Sequence, residues 1–227
     1  MAIRPVFYVR QTCPYFNEEP VEFPYAPGFA VIQKQKNIYS LHREFLRKHE
    51  NARIIEVSSK SENPIGVQLS AFNLSLVING QKTTVESAFQ SSKVFQNGGP
   101  YTDLLYMPSH IAKNDPRLRE HGPLIGFRLN NEDFPLEPKT LFYDWLYLNA
   151  VSKDRILSDR ICDYNSFTDI EFNPKKSINC QARSAAMFVS LRTTGMLKSA
   201  LKDIQQFRDI VYGLPNASIE EQMSLFE

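Results

Sequence analysis

The segment from Pro138 to Val151, PKTLFYDWLYLNAV, limits the possible folds of this chain more than any other segment. It begins with a proline, which suits the first position of a helix, and it is then heavily apolar. A helix of this kind is stable only when other elements cover it on most sides. The second firm element is a buried strand over Arg53 to Ser58, RIIEVS, which is apolar and β-branched. The mix predicts an α+β fold that is dominated by helices and contains a small sheet.

Shorter patterns place further elements around this core. Residues 1 to about 30 are rich in proline and aromatic residues, so we expect extended chain with turns there. Residues 113–136 are polar and are predicted to be irregular, and the acidic tail after Gly213 is predicted to be mobile. The other predicted elements are a helix over Gln35 to Lys48, a strand over Leu69 to Ile78 ended by an Asn79-Gly80 turn, a helix over Thr84 to Phe95 capped by Thr84, a short strand over Phe167 to Phe172, and helices over Asn179 to Leu191 and Leu197 to Tyr212.

Composition excludes several classes of protein. The 227 residues allow one substantial core, and no apolar run reaches the ~18 residues that span a bilayer. The N-terminus lacks the features of a signal peptide, and three widely spaced cysteines argue against a disulfide framework and a zinc site. We therefore expect a cytoplasmic protein without a metal. At a net charge of +1, contact with nucleic acid would have to be local.

Two candidate catalytic side chains lie between Ser58 and Phe95. Lys60 follows the end of a buried strand, and Glu86 lies in the first turn of a helix with apolar neighbours. A carboxylate at the edge of an apolar face costs free energy unless it is exposed or used. Alternatively, Glu86 only complements the positive end of the helix, and Lys60 is an exposed loop residue. Spacing alone favours the alternative for Glu86 and leaves Lys60 open.

The stretch from Phe167 to Ala186, FTDIEFNPKKSINCQARSAA, indicates an anion site. A helix is predicted to begin at Asn179, with Lys175, Lys176 and Arg183 close to it in sequence. Free N–H groups at a helix N-terminus and nearby basic side chains suit a diphosphate. The commoner meaning of such a pattern is a capped helix with solvated lysines.

Taken in order, these segments resemble the signature of the NADAR family. That signature has a strand, a segment rich in Ser, Asn and Phe, a glycine turn, and a helix that opens with Val-Glu and carries an aromatic-Gln pair and a lysine. The corresponding residues here are Ser70 to Asn73, Gly80, Val85-Glu86, Phe89-Gln90 and Lys93. Pro27 to His42 and Pro135 to Tyr147 are similar to the NADAR antitoxins that accompany DarT-type toxins. The resemblance covers the chain to about residue 210.

The resemblance implies that Glu86 and Lys60 are catalytic. It also implies that an Asp-aromatic loop and a helix opened by Asn hold the adenosine and diphosphate of the ligand. Where the family usually has Asp-Trp, this sequence has Asp133-Phe134, so Phe134 is expected to stack on the ligand and Trp145 to lie in the core. The residues predicted to bind substrate are Ser59, Asn73, Gln90, Lys93, Phe134, Asp169, Phe172, Asn179, Gln181 and Arg183.

The activity that the resemblance implies is hydrolysis of an N-glycosidic bond. The protein would be a DNA ADP-ribosylglycohydrolase and antitoxin that removes ADP-ribose from guanine bases, and it would thereby repair the DNA modified by a DarT-type toxin. ADP-ribose is then ligand and product, and no cofactor is implied. The predicted organisation is an N-terminal extension over residues 1–50, a catalytic domain over 51–212 and a tail over 213–227. Two alternatives are cleavage of phosphorylated riboflavin-pathway intermediates, the activity of compact NADAR proteins, and non-catalytic binding of ADP-ribose or NAD.

The chemistry of the bond leaves two mechanisms open. Cleavage passes through an oxocarbenium-like state, which the carboxylate of Glu86 would stabilise or to which it would direct water. Alternatively, an uncharged Lys60 amine would attack the anomeric carbon and form a transient Schiff base.

The C-terminal tail contains one further motif. Gln222 to Phe226, QMSLF, resembles the pentapeptide with which bacterial replication proteins bind the sliding clamp. Such peptides need a mobile terminus, a Gln anchor and a Leu-Phe pair that fills an apolar pocket. The alternative is an incidental apolar end, since matches of five residues arise by chance.

Overall fold

The computed structural model describes residues 1–213, which fold into helices and three small sheets. The predicted α+β class is confirmed, although the strands form more than one sheet. The helices are α1 Val31–Leu46, α2 Pro64–Gln68, α3 Val85–Ser91, α4 Ser109–Asn114, α5 Arg117–Glu120, α6 Leu141–Lys153, α7 Arg155–Arg160, α8 Gln181–Thr193, α9 Leu197–Ala200 and α10 Ile204–Tyr212, with 3₁₀ turns at Thr102–Tyr106 and Ile161–Asp163. The strands are β1 Ala2–Val9, β2 Phe16–Phe23, β3 Ile54–Glu56, β4 Ser75–Ile78, β5 Gln81–Thr84, β6 Lys93–Phe95, β7 Leu124–Leu129, β8 Glu132–Phe134 and β9 Ser166–Thr168.

The largest sheet positions two of the segments that sequence analysis singled out. Its strand order is β2-β1-β9-β3, with β1 antiparallel to both of its neighbours and β3 parallel to β9. Ile55 of β3 lies beside Phe167 of β9. Because parallel strands end at the same edge of a sheet, the chain that follows β3 and the chain that follows β9 emerge side by side. The other sheets are the hairpin β4-β5 and the antiparallel order β6-β7-β8.

Helix α6 lies in the main core, as its apolar sequence predicts. Phe142, Tyr147 and Leu148 are fully buried. The Phe89 ring of α3 packs edge-on against Tyr143 of α6, with their centroids 5.2 Å apart. The Tyr147 hydroxyl donates to the carbonyl of Leu69 at 2.8 Å, which ties α6 to the turn before β4. The helix begins at Leu141 rather than at Pro138.

The N-terminal residues, which were predicted to be extended chain with turns, form the paired strands β1 and β2. β1 and β2 make a hairpin that pairs with β9, and α1 packs on that hairpin. The contact joins Ile38, Leu41 and Phe45 of α1 to Val6 and Phe23 of the hairpin. Residues 1–50 therefore supply two of the four strands in the sheet that also contains β3 and β9.

The segment Leu69 to Ile78 is a strand only from Ser75 onward. Pro64 opens the short helix α2, and the Asn63 side chain caps it by accepting from the N–H of Ile65 at 2.9 Å. A hydrogen-bonded turn over residues 70–74 then leads into β4. The Asn63-Pro64 pair is the sequence signal for this helix, and the apolar residues that follow it obscured that signal.

Residues 113–136 were predicted to be irregular and instead contain the hairpin β7-β8. Asn130 and Asn131 close it with φ values of 52° and 64°, which suit a two-residue hairpin turn. The predicted helix from Leu197 to Tyr212 is two helices, because Asp203 caps α10 by accepting from the N–H of Gln206 at 2.7 Å. Among residues 1–213, no helix combines the length and apolar character needed to cross a membrane.

Candidate functional site

A cavity of about 540 Å³ opens where the segments after β3 and β9 meet the N-terminal half of α3. We call it the site cavity. The turn before β4 and the chain that leads into α8 complete its wall. It is lined by Ser58, Ser59, Lys60, Ser70, Ala71, Phe72, Glu86, Phe89, Gln90, Lys113, Tyr143, Asp169, Glu171, Phe172, Ser177, Ile178, Asn179 and Gln181.

Glu86 is a buried carboxylate in the first turn of α3 and is 5% exposed. Thr84 caps the helix by accepting from the N–H of Ser87, as predicted. The Glu86 carboxylate accepts from the Gln90 amide at 2.9 Å, and the Lys113 ammonium lies 3.4 Å away. Because the carboxylate also lines the cavity, it would be available to a bound ligand.

Two lysines lie beside this carboxylate. Lys113, on α4, sits over the Phe72 ring at 4.8 Å from its centroid and is half-exposed. Lys93, just after α3, sits over the Phe89 ring at 5.1 Å. Burial lowers the pKa of Lys93 to about 8, and the Glu86 carboxylate opposes that shift. The Glu86 carboxylate is therefore flanked by two lysine side chains.

Lys60 reaches the cavity from the loop after β3. Its backbone N–H donates to the Ser58 hydroxyl at 3.1 Å, which holds the loop in a tight turn. α2 packs closely under this loop at Gly66, where a Cβ would lie 2.0 Å from the Glu56 carbonyl oxygen and 2.4 Å from the Ser61 hydroxyl. A glycine is therefore required for the helix to support the loop at this distance.

The opposite wall is built from the chain around Asp169 and the start of α8. The Gln181 side-chain oxygen accepts from the N–H of Ala71 at 2.7 Å, so α8 holds the turn that also accepts from the N–H of Glu86. The Asp169 carboxylate accepts from the N–H of Glu171 at 3.0 Å. Burial, and after it the Glu56 carboxylate, raises the pKa of Asp169 well above its ordinary value.

Two side-chain oxygens at the cavity are buried and have no hydrogen-bond partner among the described residues. They are Oδ1 of Asn179 and Oε1 of Gln90. A buried acceptor without a partner costs free energy, so such groups are usually satisfied by water or by a ligand. A ligand that carries hydroxyl or amino donors, as a nucleotide does, would satisfy both.

A buried polar chain connects the site to α1. The Thr168 hydroxyl donates to the Glu56 carboxylate at 2.6 Å, and His42 Nε2 lies 2.7 Å from the same hydroxyl. Because the single proton of Thr168 goes to Glu56, His42 donates to Thr168. Burial lowers the pKa of His42 to about 4, so the ring is neutral at pH 7.

Eight of the twelve predicted site residues line the site cavity. They are Ser59, Lys60, Glu86, Gln90, Asp169, Phe172, Asn179 and Gln181. Lys93 lies next to them but does not line the cavity. Asn73 is exposed, and its amide donates to the carbonyl of Val67 at 2.9 Å.

Phe134 and Arg183 lie elsewhere, which corrects two of the placements. Phe134 is buried in the core with its ring 4.7 Å from that of Phe142, so it is not positioned to stack on a ligand in the cavity. Arg183 forms an ion pair with the fully buried Asp144 at 3.1 Å, because that carboxylate needs a cation. Trp145 is half-buried against Phe207, which agrees with the core position expected for it.

Four further residues line the cavity but were not among those predicted to bind substrate: Lys113, Phe72, Tyr143 and Glu171. Lys113 belongs to the region that was predicted to be irregular, and its pairing with Glu86 depends on how α4 packs on α3. The Ser-Ala-Phe-Asn segment contained a signal for Phe72, because an aromatic residue beside a polar turn is a common ligand contact.

The whole-chain comparisons agree with the segment resemblance. A family model described as the DarT1-associated NADAR antitoxin matches residues 2–221. A search of curated proteins finds no match.

Proposed function

The chain belongs to the family of DarT1-associated NADAR antitoxins, and from that premise we propose that it is a glycohydrolase that removes ADP-ribose from guanine bases in DNA. Its functional partner would be a DarT-type toxin, whose modification it reverses in the cytoplasm. The observation that carries the proposal is the buried Glu86 carboxylate in the wall of the site cavity, which Lys60 also lines.

The size and lining of the cavity support a nucleotide ligand. Its volume of about 540 Å³ lies within the ~300–1,000 Å³ typical of small-molecule sites. Asn179 and Gln90 offer unpartnered acceptors within the described chain, and Lys113 offers a cation for phosphate oxygens. Phe72 and Phe172 offer apolar surface for a base or a ribose.

The reaction breaks the bond between the anomeric carbon of ribose and a guanine nitrogen. As this bond lengthens, positive charge grows on the ribose ring, and the carboxylate of Glu86 stabilises it. In the direct route, water adds to the anomeric carbon, the guanine nitrogen takes up a proton as it leaves, and Glu86 orients the water.

In the second route, the Lys60 amine forms a bond to the anomeric carbon as the guanine nitrogen departs, and the proton that the amine loses is taken up by the guanine nitrogen. The ribose ring then opens to a protonated Schiff base, and water hydrolyses it to release ADP-ribose and free the lysine. This route needs an uncharged amine within reach of the anomeric carbon. Lys60 lines the cavity, whereas Lys93, with its pKa of about 8, is not among the residues that line it.

The activity is tested by incubating the protein with an oligonucleotide that carries ADP-ribosylated guanine. We expect free ADP-ribose and unmodified DNA, both detected by mass spectrometry. Binding without release would indicate an ADP-ribose reader. Cleavage of phosphorylated riboflavin-pathway intermediates but not of modified DNA would indicate the activity of compact NADAR proteins.

The two routes are separated by adding borohydride during turnover. The Schiff-base route predicts a covalent adduct between protein and ADP-ribose that maps to the peptide containing Lys60 and is lost in Lys60→Ala. Lys93→Ala is the matched control and should retain the adduct. Turnover with no adduct in any variant would favour attack by water.

A further inference from the structure

The outer side of α1 carries exposed apolar and aromatic residues that do not pack in the core. Tyr39 is 69% exposed and Ile32 is 58% exposed, and Phe29 in the preceding loop is 96% exposed. The inner side of the same helix is already packed on the β1-β2 hairpin. Contiguous exposed apolar side chains usually mark a surface that binds something.

A groove of about 600 Å³ runs along this outer side, and we call it the α1 groove. It is lined by Pro24, Tyr25, Ala26, Ile32, Gln35, Lys36, Tyr39, Ser40, Arg43 and Glu62. Ile32, Lys36, Tyr39 and Arg43 recur at helical spacing and therefore form one stripe. The Ser40 hydroxyl in this lining is buried and has no hydrogen-bond partner among residues 1–213.

The α1 groove adjoins the site cavity. Glu62 of the groove belongs to the same loop as Ser59 and Lys60 of the cavity. A chain that leaves the cavity past this loop would therefore run onto the stripe of α1.

We propose that the α1 groove binds the unpaired DNA strand on one side of the modified guanine, with a base stacked on Tyr39 and backbone phosphates beside Lys36 and Arg43. This inference rests on the proposed function, because it assumes a DNA substrate. Aromatic rings alternating with cations are the chemistry of single-strand binding, since every base has a face for stacking and every linkage carries a charge.

The charged residues of the groove indicate how the DNA strand would lie in it. Glu62 repels phosphates on its side of the groove, so the backbone runs along the Lys36 and Arg43 side. Arg43 is itself paired with Glu44 at 2.9 Å, so Lys36 is the stronger phosphate contact. A grip on only a few nucleotides also agrees with the net charge of +1.

The test compares Lys36→Ala/Tyr39→Ala with the matched double variant Lys153→Ala/Ile156→Ala. The control removes a lysine and an exposed apolar side chain at the same spacing, outside the α1 groove and the site cavity. Binding of a fluorescent, unmodified single-stranded oligonucleotide is measured by anisotropy at fixed salt. We expect the groove variant to raise Kd about tenfold, which corresponds to the lower part of the range for one stacked base, and the control to match the wild type.

Hydrolysis separates this inference from the proposed function. The groove variant should raise KM for a modified oligonucleotide about tenfold and should leave turnover of ADP-ribosylated guanosine, which has no flanking strand, unchanged. If the wild type hydrolyses neither substrate, the proposed function fails while the anisotropy comparison still decides the groove. Equal oligonucleotide Kd values in the groove variant and the wild type would overturn the inference. If a toxin protein then binds the wild type and not the groove variant, the groove is a protein-binding surface.

Discussion

Replacing Glu86 by glutamine should strongly slow hydrolysis and leave the fold intact. The substitution keeps the size of the side chain and removes one negative charge from a site that is 5% exposed. At an effective dielectric constant of about 20, a full positive charge ~4 Å from the carboxylate is stabilised by ~4 kcal/mol. The charge on the ribose is only partly developed in the transition state, and Lys113 at 3.4 Å partly neutralises the carboxylate. We therefore expect kcat to fall by about 100- to 1,000-fold, or ~2.7–4 kcal/mol.

The cost to stability should be small. Glu86→Gln loses the ion pair with Lys113. Because the Lys113 side chain is 51% exposed, water can solvate its ammonium once the carboxylate is gone, and the loss should cost about 1 kcal/mol. The new amide retains an oxygen that can accept from Gln90. Its N–H₂ group could donate to Oε1 of Gln90, which has no partner among residues 1–213. The midpoint of thermal unfolding should therefore shift by no more than ~2–4 °C.

The assay is single-turnover release of ADP-ribose from a modified oligonucleotide, together with a thermal melt of each protein. Glu132→Gln removes an exposed carboxylate from β8 and serves as the control for charge alone. We expect wild-type turnover in the control. A folded Glu86→Gln protein with turnover within threefold of the wild type would refute a catalytic role for this carboxylate.

Four other variants test the site, the buried polar chain and the tail. Asn179→Ala should weaken the binding of ADP-ribose several-fold in calorimetry, since one ligand hydrogen bond contributes ~0.5–1.5 kcal/mol. Arg183→Gln should instead lower the free energy of unfolding by ~3–5 kcal/mol in a denaturant titration, because it leaves a buried carboxylate without its cation. Since burial lowers the pKa of His42 from 6.5 to about 4, the unfolded chain binds a proton in that window that the folded chain does not, and stability is lost as pH falls through it. The stability advantage of the wild type over His42→Gln in urea should therefore shrink by ~2 kcal/mol between pH 7 and pH 4.5, and a constant difference would contradict this assignment. The clamp motif lies outside the described residues and is tested with a peptide of residues 218–227. The peptide should bind purified clamp with micromolar affinity and lose binding when Leu225 and Phe226 are both alanine. Equal anisotropy titrations of the two peptides would refute a role for the motif in clamp binding.

Local patterns in the sequence were sufficient for several parts of the site. Thr84 before an apolar helix predicts a cap, and the observed cap places Glu86 in the first turn of α3. The β-branched run before Ser58 predicts the strand whose end carries Lys60. The sequence signals for both features lie within a few residues, although the strand itself forms only when it pairs with β9.

The positions and partners of other side chains are determined only by the packing of elements that are distant in sequence. Phe134 could stack on a ligand or fill the core, and the ring of Phe142 on another element determines that it fills the core. Arg183 could bind a diphosphate or pair internally, and the buried Asp144, 39 positions earlier, takes it as a partner. Lys113 gave no signal in sequence, because its pairing with Glu86 joins two helices separated by a strand and a loop.

The sequence by itself therefore determined the fold class, the main core helix and the local setting of Glu86 and Lys60. The tertiary structure decided which polar residues share one cavity and where the outer side of α1 lies relative to it. The physical reason is that capping and periodicity are short-range properties of the backbone, whereas the partner of a charged or aromatic side chain is set by close packing between elements that are far apart in the chain.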